Sequence, residues 1–180
     1  MSSLVLLVIG SDRPGLVEIL ANTIAEYGGS WQESRMARLA GSFAGILRVD
    51  VPENHVESVS QLLRELGEQG LEVFVQPGEP EPKPGLRHAH LDLVGTDRPG
   101  IIQRISRSLA HHGVNVDELE SEITTAPMSG QPIFRARAEL QLPTDLDLTV
   151  LRQALESIGS DMMVDLKHEE LIADPAHEPE

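Results

Sequence analysis

At 180 residues, 40% apolar and without cysteine, the chain suits one ordinary domain or two small ones, and disulfides, cysteine-ligated zinc and thiol catalysis are excluded. Its formal net charge of −15 is spread along the chain: residues 1–78 hold five basic and ten acidic side chains, 86–168 eight and twelve, and 169–180 none and five. Such a surface repels phosphates, and one Trp and one Tyr offer little for bases to stack on, so direct nucleic-acid binding is not expected.

Leu4–Ile9 is a continuous apolar run, consistent with a buried strand. A turn follows, within VIGSDRPGLV at Val8–Val17, and then Leu16, Ile19, Leu20, Thr23, Ile24 and Tyr27 fall on one helical face until Gly28 and Gly29 stop it. Phe43, Gly45, Leu47, Val49 and Val51 alternate as a strand. Val56, Val59, Leu63 and Leu66 form a second helical stripe, and Leu71–Gln76 a last strand. Four prolines in the ten residues Gln76–Gly85 mark an extended linker at 79–86.

The pattern then starts again. LVGTDRPGII at Leu93–Ile102 repeats the first turn 85 residues later; Asp12, Arg13, Pro14, Gly15, Ala25, Gly28 and Glu33 meet Asp97, Arg98, Pro99, Gly100, Ala110, Gly113 and Glu118. The second copy continues through Leu91–Gly95, the stripe Ile101, Ile105, Leu109, the alternation Phe134, Ala136, Ala138, Leu140, the stripe Leu148, Leu151, Leu155, Ile158, and the strand Met162–Lys167. With a strand added after each first helix, each copy reads βαββαβ. Right-handed crossovers then place both helices on one face of a four-stranded antiparallel sheet, a ferredoxin-like α+β plait. The predicted layout is a first domain at 1–78, the linker at 79–86, a second domain at 87–168 and a disordered acidic tail at 169–180. A lone plait leaves one sheet face and its edges bare, so pairing of copies and a homo-oligomer are expected.

The repeated turn does not suit phosphate. The position where a dinucleotide loop needs its second glycine holds Asp12 or Asp97, and no Walker-type Lys follows. It suits a helix start, with Asp12 or Asp97 capping free N–H groups, Pro in the first turn and Gly leaving the backbone open. Such an N-terminus presents donors and partial positive charge to a small carboxylate.

The order strand, G-x-D-R-P-G, helix, then a glycine turn resembles the ACT domain, a small-molecule-sensing module that holds amino acids between paired domains. The resemblance implies ligand contacts at Asp12, Gly15 and Leu16 in copy one and at Asp97, Gly100 and Ile101 in copy two. In HHGVNVDEL, Asn115 stands where ACT domains often use Asn to hold the ligand's amino and carboxylate groups; its counterpart is Ser30, a shorter group without the paired amide geometry, which favours copy two. Over most of Leu4–His168 the chain is similar to the tandem-ACT family of glycine cleavage system transcriptional repressors. GSDRPGLV, GGSWQESRMARLAGSFAGILRV, GTDRPGII and the insertion TAPMSGQPIF at Thr125–Phe134 carry the likeness. It implies a regulator without a DNA-binding domain that responds to a small amino acid, glycine first, and acts on a LysR-type activator. An ACT sensor acting on a metabolic enzyme and a ligand-free dimerisation module are the alternatives.

Other constellations carry less. Arg35 suits a carboxylate or an acidic neighbour, and Trp31 suits the core or an interface. His88 and His90 share a strand face without a third ligand, His111 and His112 end a helix, and Glu118, Glu120 and Glu122 share a strand face. The Thr125–Phe134 insertion lengthens a hairpin. The chain holds no GxSxG or HExxH sequence and nothing like the Arg–Asn pair of acylphosphatases, so a non-enzyme without metal or cofactor is expected. No apolar run reaches membrane-spanning length and no basic segment precedes the first one, so the expected location is cytoplasmic, with no signal peptide and no membrane partner.

Overall fold

The structure, a computed structural model, describes residues 1–78, 87–127 and 130–168; the expected linker and acidic tail lie outside the described residues. The chain divides into two compact units, Met1–Pro82 and Lys83–Glu180.

The first unit runs β1 (Ser2–Ser11), α1 (Leu16–Glu26), β2 (Ser30–Leu39), β3 (Ser42–Val51), α2 (Val56–Glu65) and β4 (Leu71–Pro77), with sheet order β2-β3-β1-β4. Every pairing is antiparallel. Leu4, Leu6 and Val8 alternate onto one face of β1 and pack with Leu16, Leu20 and Ile24 of α1 and Val59 and Leu63 of α2 in one buried cluster. Helical spacing three and four apart meets strand spacing two apart, which is what places both helices on one side. The β2–β3 hairpin turns through Ala40 and Gly41, both with positive φ (50° and 81°), the two-residue turn whose twist matches the strands.

The second unit repeats this as β5 (Arg87–Thr96), α3 (Ile101–His111), β6 (Asn115–Thr125), β7 (Pro132–Leu142), α4 (Leu148–Glu156) and β8 (Met163–His168), order β6-β7-β5-β8. Ala89, Leu91 and Leu93 face Ile105, Leu109, Leu151 and Leu155 in its core. Each unit is a ferredoxin-like α+β plait, as the repeat predicts. The insertion does lengthen the β6–β7 hairpin, which closes where the Ala126 N–H donates to Gln131 O at 2.9 Å.

The buried strand expected at Leu4–Ile9 is buried on one side only. Leu7 and Ile9 point away from the helices and remain 38% and 47% exposed. The sheet's other face is open, so a run apolar on both sides outnumbers the burial its own unit provides.

Candidate functional site

Both repeated turns lead into their helices through a left-handed glycine, Gly15 at φ 93° and Gly100 at φ 80°. A side chain at Gly15 would meet nothing within 4 Å, so the glycine answers a backbone requirement rather than a lack of room. Neither helix has a side-chain cap, whereas Asp147 accepts from the Thr149 N–H at 2.8 Å at the start of α4. The capping role expected of Asp12 and Asp97 is therefore a correction. The cap position falls three residues later, on the glycine, and both carboxylates stand outside the first turn.

Asp12 is instead tied to the sheet edge. Its carboxylate accepts from Arg38 Nε at 2.6 Å, and its own N–H donates to Gly41 O at 2.9 Å. The residue 85 further on from Arg38 is Ile123, so Asp97 meets no cation there, and its side chain has no partner among the described residues. Its N–H donates to Pro132 O at 3.1 Å. Among the described residues, the second turn thus holds an unpaired carboxylate and the first a paired one.

The arginines of the turns latch elsewhere. Arg13 Nη2 donates to Gln69 O at 2.8 Å, and Arg98 Nη2 to Asp161 Oδ1 at 2.5 Å. Each thereby ties the repeated turn to the segment ahead of its unit's last strand. Asp161 also accepts from the Thr96 N–H at 3.0 Å. The Thr96 hydrogen bonds, then the Arg98 charge, lower its carboxyl pKa to about 2. These latches are absent from the sequence-based reading; the shared Arg was its only signal.

Leu16 and Ile101 are buried at 2% and 5% exposure, so a ligand could meet only their backbone. Ser30 and Asn115 open β2 and β6 and are exposed. Asn115 Nδ2 donates to Asp117 Oδ1 at 3.1 Å, and Asp117 lies 3.5 Å from His88 Nδ1. Within either unit the residues form two groups. The 11-residue first helix separates Asp12, Gly15 and Leu16 from Ser30, and Asp97, Gly100 and Ile101 from Asn115, by about 16 Å at 1.5 Å per residue.

The remaining constellations have plain surroundings. Arg35 pairs with Glu33 at 2.6 Å, and that hydrogen bond holds the Glu33 carboxyl below its ordinary range. Trp31 and Met36 pack against the first core. A depression of about 430 Å³ lies on the open face of the second sheet, lined by Asp92, Glu120, Glu122, Arg135 and Arg137 among others, and none of the eight expected ligand residues lines it. Among the described residues no group of three His, Asp or Glu could hold a metal, and no helix is long and apolar enough to cross a membrane.

With the plait and its glycine-opened helix in place, the family model described as ACT domain matches residues 2–76. The first unit belongs to the ACT-domain family. The second unit repeats the ACT topology strand for strand. The tandem ACT chain is 22% identical over 161 residues to the glycine cleavage system transcriptional repressor of Escherichia coli (strain K12), covering 88% of this chain and 85% of that one. Over 80 residues it is 38% identical to a UPF0237 protein of Methanopyrus kandleri, 42% of this chain and 88% of that one. A crystal structure of an unknown protein from Galdieria sulphuraria superposes with a TM-score of 0.83 at 27% identity, covering 94% of this chain and 99% of that one.

Proposed function

We propose that this tandem ACT chain is a cytoplasmic, amino-acid-responsive regulator that represses glycine cleavage genes through a protein partner, a LysR-type activator, rather than by binding DNA. Family membership and the similarity to a named repressor support a regulatory role. The observation that carries the finer reading is that this likeness runs along 88% of the chain, through both units rather than one. The acidic balance of every segment favours a protein partner over a nucleic acid.

In this reading the ligand is a small amino acid, glycine first. Its carboxylate sits at the uncapped first turn of α3, and its ammonium group near Asp97, whose side chain has no partner among the described residues. Asn115, about 16 Å away within the same unit, serves a ligand only when another ACT unit supplies the turn, so binding and the pairing of units are coupled.

Thermal unfolding with each common amino acid tests the reading. A ligand present at about 100 times its Kd adds roughly 2.7 kcal/mol, a shift of several degrees. Glycine or a close relative should give that shift, and Asn115→Ala should weaken it about tenfold in affinity while the fold stays intact. No shift with any amino acid, or an unchanged affinity in Asn115→Ala, would sink the assignment of this site.

A further inference from the structure

The turn that opens α3 is held by a side chain to which the ligand placement gives no part. Asp161 stands in the turn ahead of β8, and its two carboxylate oxygens reach different residues. Oδ2 accepts from the Thr96 N–H at 3.0 Å, and Oδ1 accepts from Arg98 Nη2 at 2.5 Å. Those two residues flank Asp97. Arg98 carries the hold into the helix, because its carbonyl accepts from the Ile101 N–H, the first of α3, at 3.1 Å. One carboxylate thus fixes both sides of Asp97 and the residue on which α3 starts.

We infer that Asp161 is a positioning residue for amino-acid recognition: touching no ligand itself, it holds Asp97 and the first turn of α3 in the arrangement that receives the ligand. This rests on the ligand placement proposed above and adds the residue that sets it up. Three observations carry it. The first is that the surroundings are shaped for the latch. A Cβ at Gly159 would lie 3.0 Å from Arg98 Nη1 and 3.2 Å from Asp161 Oδ1, so the missing side chain leaves the guanidinium its seat. The Met162 N–H donates to Gly159 O at 3.0 Å and closes the turn that carries Asp161.

The second is energetic. Arg98 and Asp161 are 41% and 36% exposed, and ion pairs so open to water add little to stability. What a carboxylate bridging a backbone N–H and a guanidinium does supply is a fixed geometry. A site whose groups are already in place spares the ligand the ordering of them. With its pKa lowered to about 2, chiefly by Thr96, Asp161 stays charged in neutral solution.

The third is the contrast between copies. In the first unit Arg13 ends on the Gln69 carbonyl, a single neutral acceptor, and Asp12 is drawn to Arg38. The unit with the carboxylate latch is also the one whose Asp97 side chain has no partner among the described residues. A held turn and an unpaired acceptor coincide.

Calorimetric titration of the full chain with glycine, or with the common amino acid that most raises its melting temperature, tests this beside a melt of each variant. Gly159→Ala unseats the guanidinium without removing a charge, and should weaken binding about tenfold while the melt barely moves. In Asp161→Asn the amide can accept from Thr96 or from Arg98 but turns an NH2 group to the other, and binding should weaken about tenfold or more. Asp165→Asn, which removes the same charge from β8, should bind as the wild type does. What the latch does for the ligand, the ligand must do for the latch. Saturating ligand should therefore slow exchange of the Thr96 amide proton by the same factor of about ten. Gly159→Ala and Asp161→Asn chains that bind like the wild type overturn the inference alone, as do equal weakening in Asp165→Asn, a loss of affinity seen only with a lowered melt, and a Thr96 exchange rate indifferent to ligand. A wild type that takes up no amino acid overturns the ligand placement, and this inference with it.

Discussion

Leu7 and Asp92 occupy the same position in two copies of one fold, and so do Arg35 and Glu120. The first sheet carries Arg35, Ile46, Leu7, Phe74 across its open face, where the second carries Glu120, Arg137, Asp92, Asp165. The covered faces have not parted in this way. Leu6 and Leu91, Leu20 and Ile105, Ile24 and Leu109 are buried apolar pairs in both. The core face answers to the helices of its own unit, so the plait constrains it; the open face answers to whatever lies outside the unit, and there the copies have been free to separate. Arg137 pairs with Asp92 at 3.3 Å and Lys167 with Asp165 at 2.5 Å, the arrangement of a solvated face. That Asp165 hydrogen bond raises the Lys167 pKa. The first sheet has only its margin so furnished.

The largest effect separating the copies is expected at the first glycine of the repeated stretch. A Cβ at Gly10 would lie 2.5 Å from Gly70 O, a backbone atom held by the turn before β4. At Gly95 the nearest atom is the Sδ of Met162 at 3.2 Å, and a methionine side chain can move aside. Gly10→Ala should therefore cost about 1–3 kcal/mol and Gly95→Ala less than about 1 kcal/mol. Denaturant unfolding of the two variants checks this, and equal losses would show that the turns before β4 and β8 yield alike.

A smaller contrast rests on Arg38 and Ile123. Arg38→Ala releases the Asp12 carboxylate and should cost less than about 1 kcal/mol, since the pair is largely exposed. Ile123→Arg offers Asp97 the cation that Arg38 gives Asp12. If an ammonium ligand uses Asp97, this substitution should weaken amino-acid binding while leaving stability within about 0.5 kcal/mol. Calorimetric titration measures the first effect and thermal unfolding the second; undiminished binding would separate Asp97 from the ligand.

How much of this could be read in the sequence depends on where each feature gets its support. The cores were legible because apolar spacing of two and of three to four survives in both copies. The strands β2 and β6 were not, because they bury little, unlike β4 at the opposite edge of the first sheet, where Leu71 and Val73 are buried. Every residue of β6 from Asn115 to Ile123 is exposed, so no alternation marks it, and only its place in the repeat implied a strand. A bulge after Trp31 and another after Val116 shift the register as well. The helix start was misplaced by three residues because Asp before Pro-Gly is a capping pattern, while the partner that draws Asp12 away, Arg38, arrives from a strand 26 residues on. Leu4–Ile9 was read as a buried strand although Leu7 and Ile9 are exposed, since an unbroken apolar run gives no sign of which side its own helices reach.

The faintest contrast lies in the latches. Arg13 ends on a carbonyl, which does not titrate near neutrality or in mild acid, whereas Arg98 ends on Asp161, whose carboxyl pKa is lowered to about 2 by Thr96 and then by Arg98. A depressed acid stabilises the fold fully above its ordinary value of 3.8, and that contribution is withdrawn as pH falls towards 2. Acidification over this window should therefore loosen the turn ahead of β8 before the turn ahead of β4. The Thr96 N–H, which donates to Asp161, is the natural reporter: its proton resonance should move with a midpoint near the lowered value, and Asp161→Asn should abolish that movement. The Arg13 guanidinium, bound to a carbonyl, should show no titration with the same midpoint. If both latches responded together, the pH dependence would belong to some carboxylate common to the two units, and the distinction between a carbonyl anchor and a carboxylate anchor would fail.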